Sequence, residues 1–152
     1  MFLYRSTAKL KVGLTIILLA AAGQILCFAD ENSPPDSRAE TRVPVLKLAV
    51  LCEDLSEGKN PLPVNQAVVF PSDLGRLICF TDFEPVYEQG YIYHKYYFKE
   101  KFSSKKKLKL YPPRWAAYSS IQLRETDKGP WRVDITDADG KVLRTIRFSI
   151  TD

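Results

Sequence analysis

Helical periodicity is what this sequence has least of. Beyond residue 29 no stretch repeats apolar residues at three-to-four spacing over three turns, which excludes a helical bundle or an alternating α/β layout. Histidine is almost missing: His94 is the only one, so any histidine-dependent chemistry has to use it. The 7 glycines form no phosphate-cradling cluster. The 3 cysteines contain no Cys-x-x-Cys pair, so the spacing of an ordinary zinc site is lacking. A mixed metal site from Cys52, Cys79, His94 and a carboxylate ranks far behind a disulfide or two free thiols. No cofactor is expected.

Net charge is also lacking, despite a formal +4. Arg5, Lys9 and Lys11 lie in the first 29 residues, which hold no acid; 22 basic residues less these three leaves 19 against 18 acidic. A domain near +1 has no global field to draw in nucleic acid, so nucleic acid is not expected as a partner. An electrostatic partner has to meet a local patch. At 152 residues the chain is one domain long.

What is present begins with a leader. Three positive charges precede Val12–Leu26, which is apolar and uncharged, and Cys27-Phe28-Ala29 puts small residues at the −3 and −1 positions of a cleavage site before Asp30. Residues 1–29 read as a secretory signal peptide. The runner-up is an uncleaved signal-anchor helix giving membrane attachment through residues 12–28, and a lipoprotein signal at Cys27 ranks third. All three readings place the folded part outside the cytoplasm, in the periplasm or an equivalent compartment. Residues 30–42 are polar, carry Pro34-Pro35 and read as a disordered linker.

From 43 to 152 the chain reads as short strands broken by turns. Val45–Cys52 alternates, with Leu46, Leu48, Val50 and Cys52 expected on the core face. Val64–Phe70 is a second strand, and Arg76–Phe83 is apolar on both faces, as a central strand is. Tyr91–Phe98 is the most aromatic stretch: Ile92, His94, Tyr96 and Phe98 share one face, and Tyr91, Tyr93, Lys95 and Tyr97 the other. Lys105–Tyr111 sends Lys105, Lys107 and Lys109 outward and ends at Pro112-Pro113. Trp115–Leu123 follows. Trp131, Val133 and Ile135 then face Ile146, Phe148 and Ile150 across an Asp137-Ala138-Asp139-Gly140 turn, a closing hairpin. The fold class is all-β, an antiparallel, immunoglobulin-like β-sandwich.

Several short motifs in order and spacing carry a resemblance: Cys52-Glu53-Asp54, Pro63-Val64, Phe70, Gly75-Arg76 to Cys79-Phe80-Thr81, His94-Lys95-Tyr96, Pro113-Arg114-Trp115, Tyr118-Ser119, Gly129-Pro130-Trp131-Arg132-Val133, and Asp139-Gly140-Lys141-Val142-Leu143 ending in Phe148. From about Val45 to Asp152 the chain resembles the bacterial domain of unknown function DUF2914. The family pattern carries tryptophan where this chain has Tyr96 and Tyr118, and a basic residue where it has Ile121. The resemblance implies a compact domain of envelope or membrane-associated proteins and implies no activity.

The function expected is a non-catalytic binding module of the cell envelope, its partner an envelope protein or an anionic carbohydrate. The binding residues expected are Tyr93, His94, Tyr97, Arg114, Trp115 and Tyr118, on a surface built by the aromatic strand, the lysine strand and the Arg114–Ser119 segment. Exposed tyrosines beside arginine and lysine have the composition of a recognition patch. The bland alternatives are tyrosines that only cover lysine stems, and lysines that only guard a sheet edge. Trp115 and Trp131 read more readily as core than as a ligand platform. The other function class is an envelope enzyme using His94 and Arg114; Ser119, His94 and Asp82 give a triad on paper, without a local signature. A Cys52–Cys79 disulfide stands level with two buried thiols, since alternation does not fix the Cβ geometry a bridge needs. N-terminal sequencing of exported protein is expected to begin at Asp30; a mature chain starting at Met1 and resisting alkaline extraction from membranes contradicts cleavage.

Overall fold

The computed structural model describes residues 43–152, so the readings of the leader and linker lie outside the described residues. Nine strands build two sheets. In chain order they are β1 (Leu46–Leu55), β2 (Pro63–Gln66), β3 (Val69–Pro71), β4 (Arg76–Phe83), β5 (Gly90–Phe98), β6 (Lys101–Leu110), β7 (Trp115–Gln122), β8 (Gly129–Thr136) and β9 (Val142–Thr151). Sheet A has the order β2-β1-β4-β7 and sheet B the order β3-β9-β8-β5-β6. The sheets face each other as a β-sandwich. Among the described residues no helix is long and apolar enough to cross a membrane.

Period-two alternation explains the core. Leu77, Cys79 and Phe83 of β4 and Leu51 of β1 meet Ile92 and Tyr96 of β5 and Val133 and Ile135 of β8 in one cluster. At roughly 1.5–3 kcal/mol per fully buried large apolar side chain, this layer is the main stabilising term. The closing hairpin forms as expected: Asp137 Oδ1 accepts from the backbone N–H of Asp139 (3.1 Å) and of Lys141 (2.8 Å), and Gly140 supplies φ +91.

Five expectations need correction. The Val64–Phe70 strand is two strands in different sheets. Asn65 sits at φ +53, and the chain steps from the edge of sheet A to the edge of sheet B through Ala67 and Val68. β3 then pairs with β9 in parallel, so the sandwich is not wholly antiparallel. The lysine strand starts at Lys101 rather than Lys105, because Lys99 and Glu100, both at positive φ, turn the chain straight back after Phe98. Trp131 is core, its indole N–H donating to the Asp127 carbonyl at 2.7 Å, but Trp115 is 40% exposed and lies edge-on to Tyr111.

The last correction concerns β1 and the cysteines. Leu46, Leu48, Val50 and Cys52 do not share the core face. The register on β4 shifts between Leu46 and Leu48, and Leu51, opposite Cys79, points into the main core. Val50 and Cys52 point to the other side of sheet A, where Cys52, Ile78 and Phe80 form a second small cluster. Cys52 and Cys79 therefore lie on opposite faces of the sheet and are free, buried thiols. Unfolded in denaturant without reductant, the chain from Asp30 onward is expected to titrate two thiols, and reduction is expected to leave its thermal midpoint unchanged. A midpoint that falls on reduction contradicts this.

Candidate functional site

Inside the core the two sheets exchange hydrogen bonds. His94 and Tyr96 project inward from β5, and Thr81 and Ser119 project inward from β4 and β7. Thr81 Oγ1 donates to the Ala117 carbonyl at 2.8 Å and faces His94 Nε2 at 3.4 Å. With its own proton committed, Thr81 accepts from Nε2–H, which leaves Nδ1 to accept from the Ser119 hydroxyl at 2.8 Å. Ser119 in turn accepts from the Tyr96 hydroxyl at 2.8 Å. The chain runs one way, Tyr96 to Ser119 to His94 to Thr81 to the Ala117 carbonyl. Burial pushes the Tyr96 phenol and the Cys79 thiol beside it well up, and lowers His94 to about 4, so the network is neutral near pH 7.

This arrangement can hold a proton but offers it to nothing outside. His94 has no exposed surface, and its Nε2 faces a hydroxyl rather than a carboxylate. Asp82, the third member of the paper triad, points to the opposite face of sheet A and accepts from Arg114 Nη2 at 2.6 Å and Nε at 3.1 Å. His94 and Arg114 thus share no site. Nor do Cys52, Cys79 and His94 converge; among the described residues no group of three His, Cys, Asp or Glu is placed to hold a metal ion.

The outer face of sheet B is different. Tyr91, Tyr93, Lys95 and Tyr97 line β5 there, with Lys109, Lys107 and Lys105 opposite the first three on β6. The Lys107 ammonium lies 3.8 Å from the Tyr91 ring centre and the Lys105 ammonium 4.8 Å from that of Tyr93. The Arg132 guanidinium caps Tyr97 at 4.1 Å. Each such contact contributes roughly 0.5–1 kcal/mol at an exposed site and holds the cation flat on the sheet. Glu100 at the hairpin tip pairs with Arg147 (2.7 Å) and Arg132 (3.0 Å); the Arg147 bond is the main cause that lowers its carboxyl. Lys95, Lys105, Lys107 and Lys109 make no ion pair with another described residue.

Residues 89–150 of the chain match the family model described as "Protein of unknown function (DUF2914)". No curated protein matches. The DUF2914 stretch takes in β5 to β8 and most of β9, and so contains the whole aromatic and lysine face of sheet B together with His94, Tyr96 and Ser119. Thr81 and the motifs from Cys52 to Phe80 lie before it. The DUF2914 description names no activity.

The structure thus divides the six predicted binding residues. Tyr93 and Tyr97 lie on the outer face of sheet B. Trp115 and Tyr118 are exposed on β7, in sheet A, and Arg114 just before it is held by Asp82 and, at 3.6 Å, Glu84. His94 is interior. The composite surface of aromatic strand, lysine strand and Arg114–Ser119 segment is therefore two surfaces. Thr81 was missed by sequence reasoning, though it is the one polar residue on the inward face of β4, between Cys79 and Phe83. Glu100 was missed because its role depends on Arg132 and Arg147, distant in sequence.

His94 gives a pH prediction. Its folded pKa is about 4 against 6.5 unfolded, because burial opposes the charge. Between those values the unfolded chain binds a proton and the folded chain does not. Stability from this group is fully present above pH 6.5 and is lost as pH falls toward 4, by about 3 kcal/mol in all. Urea midpoints are expected to fall already between pH 6.5 and 5, where carboxylates stay ionised, and His94→Gln is expected to flatten that interval. A wild-type midpoint constant from pH 7.5 to 5 contradicts the buried neutral histidine.

Proposed function

We propose that this protein is a non-catalytic binding module of the bacterial cell envelope, held outside the cytoplasm by a signal peptide over residues 1–29 or by an anchor through residues 12–28. Its partner, an envelope protein or an anionic carbohydrate, engages the outer face of sheet B. The observation that carries this reading is the set of four lysines, 95, 105, 107 and 109, gathered on one sheet face with no carboxylate partner among the described residues. The domain is close to neutral apart from its leader, so this is segregated charge rather than a basic composition.

The tyrosines refine the mode of recognition. Tyr91 and Tyr93 already carry lysine ammonium groups, and Tyr97 carries Arg132. They act as seats that orient cations, which favours a charged partner over a ring stacked on bare aromatic faces. Strand order supports the immunoglobulin-like form of the sandwich: β9-β8-β5-β6 corresponds to the G-F-C-C′ order of variable-type domains, with β4 and β7 in the places of B and E. β1, antiparallel to β4, stands where A pairs with B, and β2 outside it is an addition to that plan. Fold analogy alone does not assign a ligand.

Affinity capture from native envelopes, read by mass spectrometry, tests the reading. Lys105→Glu/Lys107→Glu is expected to cut captured partner at least tenfold while Arg114→Ala, on the other sheet, leaves it unchanged. Equal capture by the folded double variant and the wild type contradicts the assignment of this face.

A further inference from the structure

The two sides of the sandwich are closed differently. On one side the chain itself steps from β2 to β3, from the edge of sheet A to the edge of sheet B, and Ser149 N–H donates to the Val68 carbonyl at 2.9 Å. On the other side lie β6 and β7, the remaining edge strand of each sheet, each paired on one side only. They are joined through residues 111–114, and away from that connection they splay. A cleft of about 320 Å³ opens between them, with Ser104 and Lys106 of β6 on one wall, Ser120 and Gln122 of β7 on the other, and Arg124 and Trp131 beside them.

Edge strands are normally blunted, by shortness, proline, bulges or charge. β6 has no proline. Its register on β5 slips once, between Tyr96 and Tyr97, which leaves a regular run from Ser104 to Leu110 opposite Gly90–Tyr96. The one remaining guard is lysine: Lys105, Lys106, Lys107 and Lys109, with no acid in the strand. Like charges across a strand pair oppose pairing, so this edge repels a second copy of itself. The same charges favour an acidic strand. The cleft beside β6 is lined by Lys106 and Arg124 against the one carboxylate of Asp127, which accepts from the backbone N–H of Arg124 at 2.9 Å.

We infer that β6 is a strand-addition site for an extended acidic segment of a partner protein, pairing along Ser104–Leu110. Alternate side chains of the added strand lie beside Lys105, Lys107 and Lys109 on the outer face, and the intervening ones enter the cleft against Ser104 and Lys106. Main-chain hydrogen bonds supply affinity and the lysines supply selectivity. This inference rests on the reading of the domain as an interaction module and specifies how a protein partner docks.

The test uses a nine-residue peptide alternating Glu with Thr, and two versions N-methylated at every second residue in opposite phase. In an extended strand one phase blocks the amides that face β6 and the other blocks those that face away. The parent peptide is expected to bind the domain in a low-salt titration. One methylated phase is expected to lose at least tenfold in affinity and the other to bind like the parent, while a Lys-Thr peptide does not bind. Equal binding of both phases overturns strand addition and leaves a charged face that takes polyanions, the broader reading intact. Absence of binding by the parent peptide overturns the inference as well, and lysine-dependent capture from envelopes would still report on the broader reading separately.

Discussion

The hydrogen bond from Ser119 to His94 joins one sheet to the other inside an otherwise apolar layer. Apolar contacts are non-directional and tolerate a small slide of one sheet over the other. A buried chain of donors and acceptors does not, because an unmade bond at that depth costs about 1–3 kcal/mol. Tyr96 and Thr81 extend the bond in both directions, so β4, β5 and β7 are tied at one level of the sandwich. The inward parity of His94 and Tyr96 on β5 then forces Tyr91, Tyr93, Lys95 and Tyr97 outward. The tyrosine and lysine face, the surface proposed for recognition, is the reverse side of the clip.

That relation also bears on the serine–histidine pair. A serine hydroxyl 2.8 Å from an imidazole nitrogen has the geometry of base activation. Here the imidazole is sealed, lowered in basicity by burial and aligned by Thr81, and the bond serves packing. The charged chemistry lies elsewhere, on lysines seated over tyrosines at the sheet surface, where ammonium groups stay hydrated and available.

Much of this was legible in the sequence. The limits of β4 and β5 and the pairing of β8 with β9 follow from alternation, and the Asp137–Gly140 turn from its residue types, although β8 starts at Gly129 and β9 at Val142, earlier than the alternation marks. His94 was expected on the binding surface and is interior: both faces of β5 are aromatic, and the packing of Ile92 and Tyr96 into the inter-sheet core made the choice. What alternation could not decide was the orientation of a strand apolar on both sides. In β1 either Leu48, Val50 and Cys52 or Ala49 and Leu51 could face inward, and the choice was made by pairing with β4, which places Leu51 opposite Cys79. The disulfide failed for the same reason. The surface was half legible: Tyr93, Tyr97 and the lysines share a face because they lie on paired strands. Arg114 and Tyr118 were placed with them on nearness in sequence, yet the chain changes sheets between β6 and β7.

Because the chain has one histidine, its imidazole can be followed without ambiguity. Nitrogen-detected NMR of folded protein labelled at that ring tests the central claim, that the polar chain is a sealed inter-sheet clip. The account predicts a single tautomer, protonated at Nε2 with Nδ1 accepting a hydrogen bond, and no titration until pH approaches 4. A ring that exchanges between tautomers and titrates near 6.5 would put His94 within reach of solvent and contradict it.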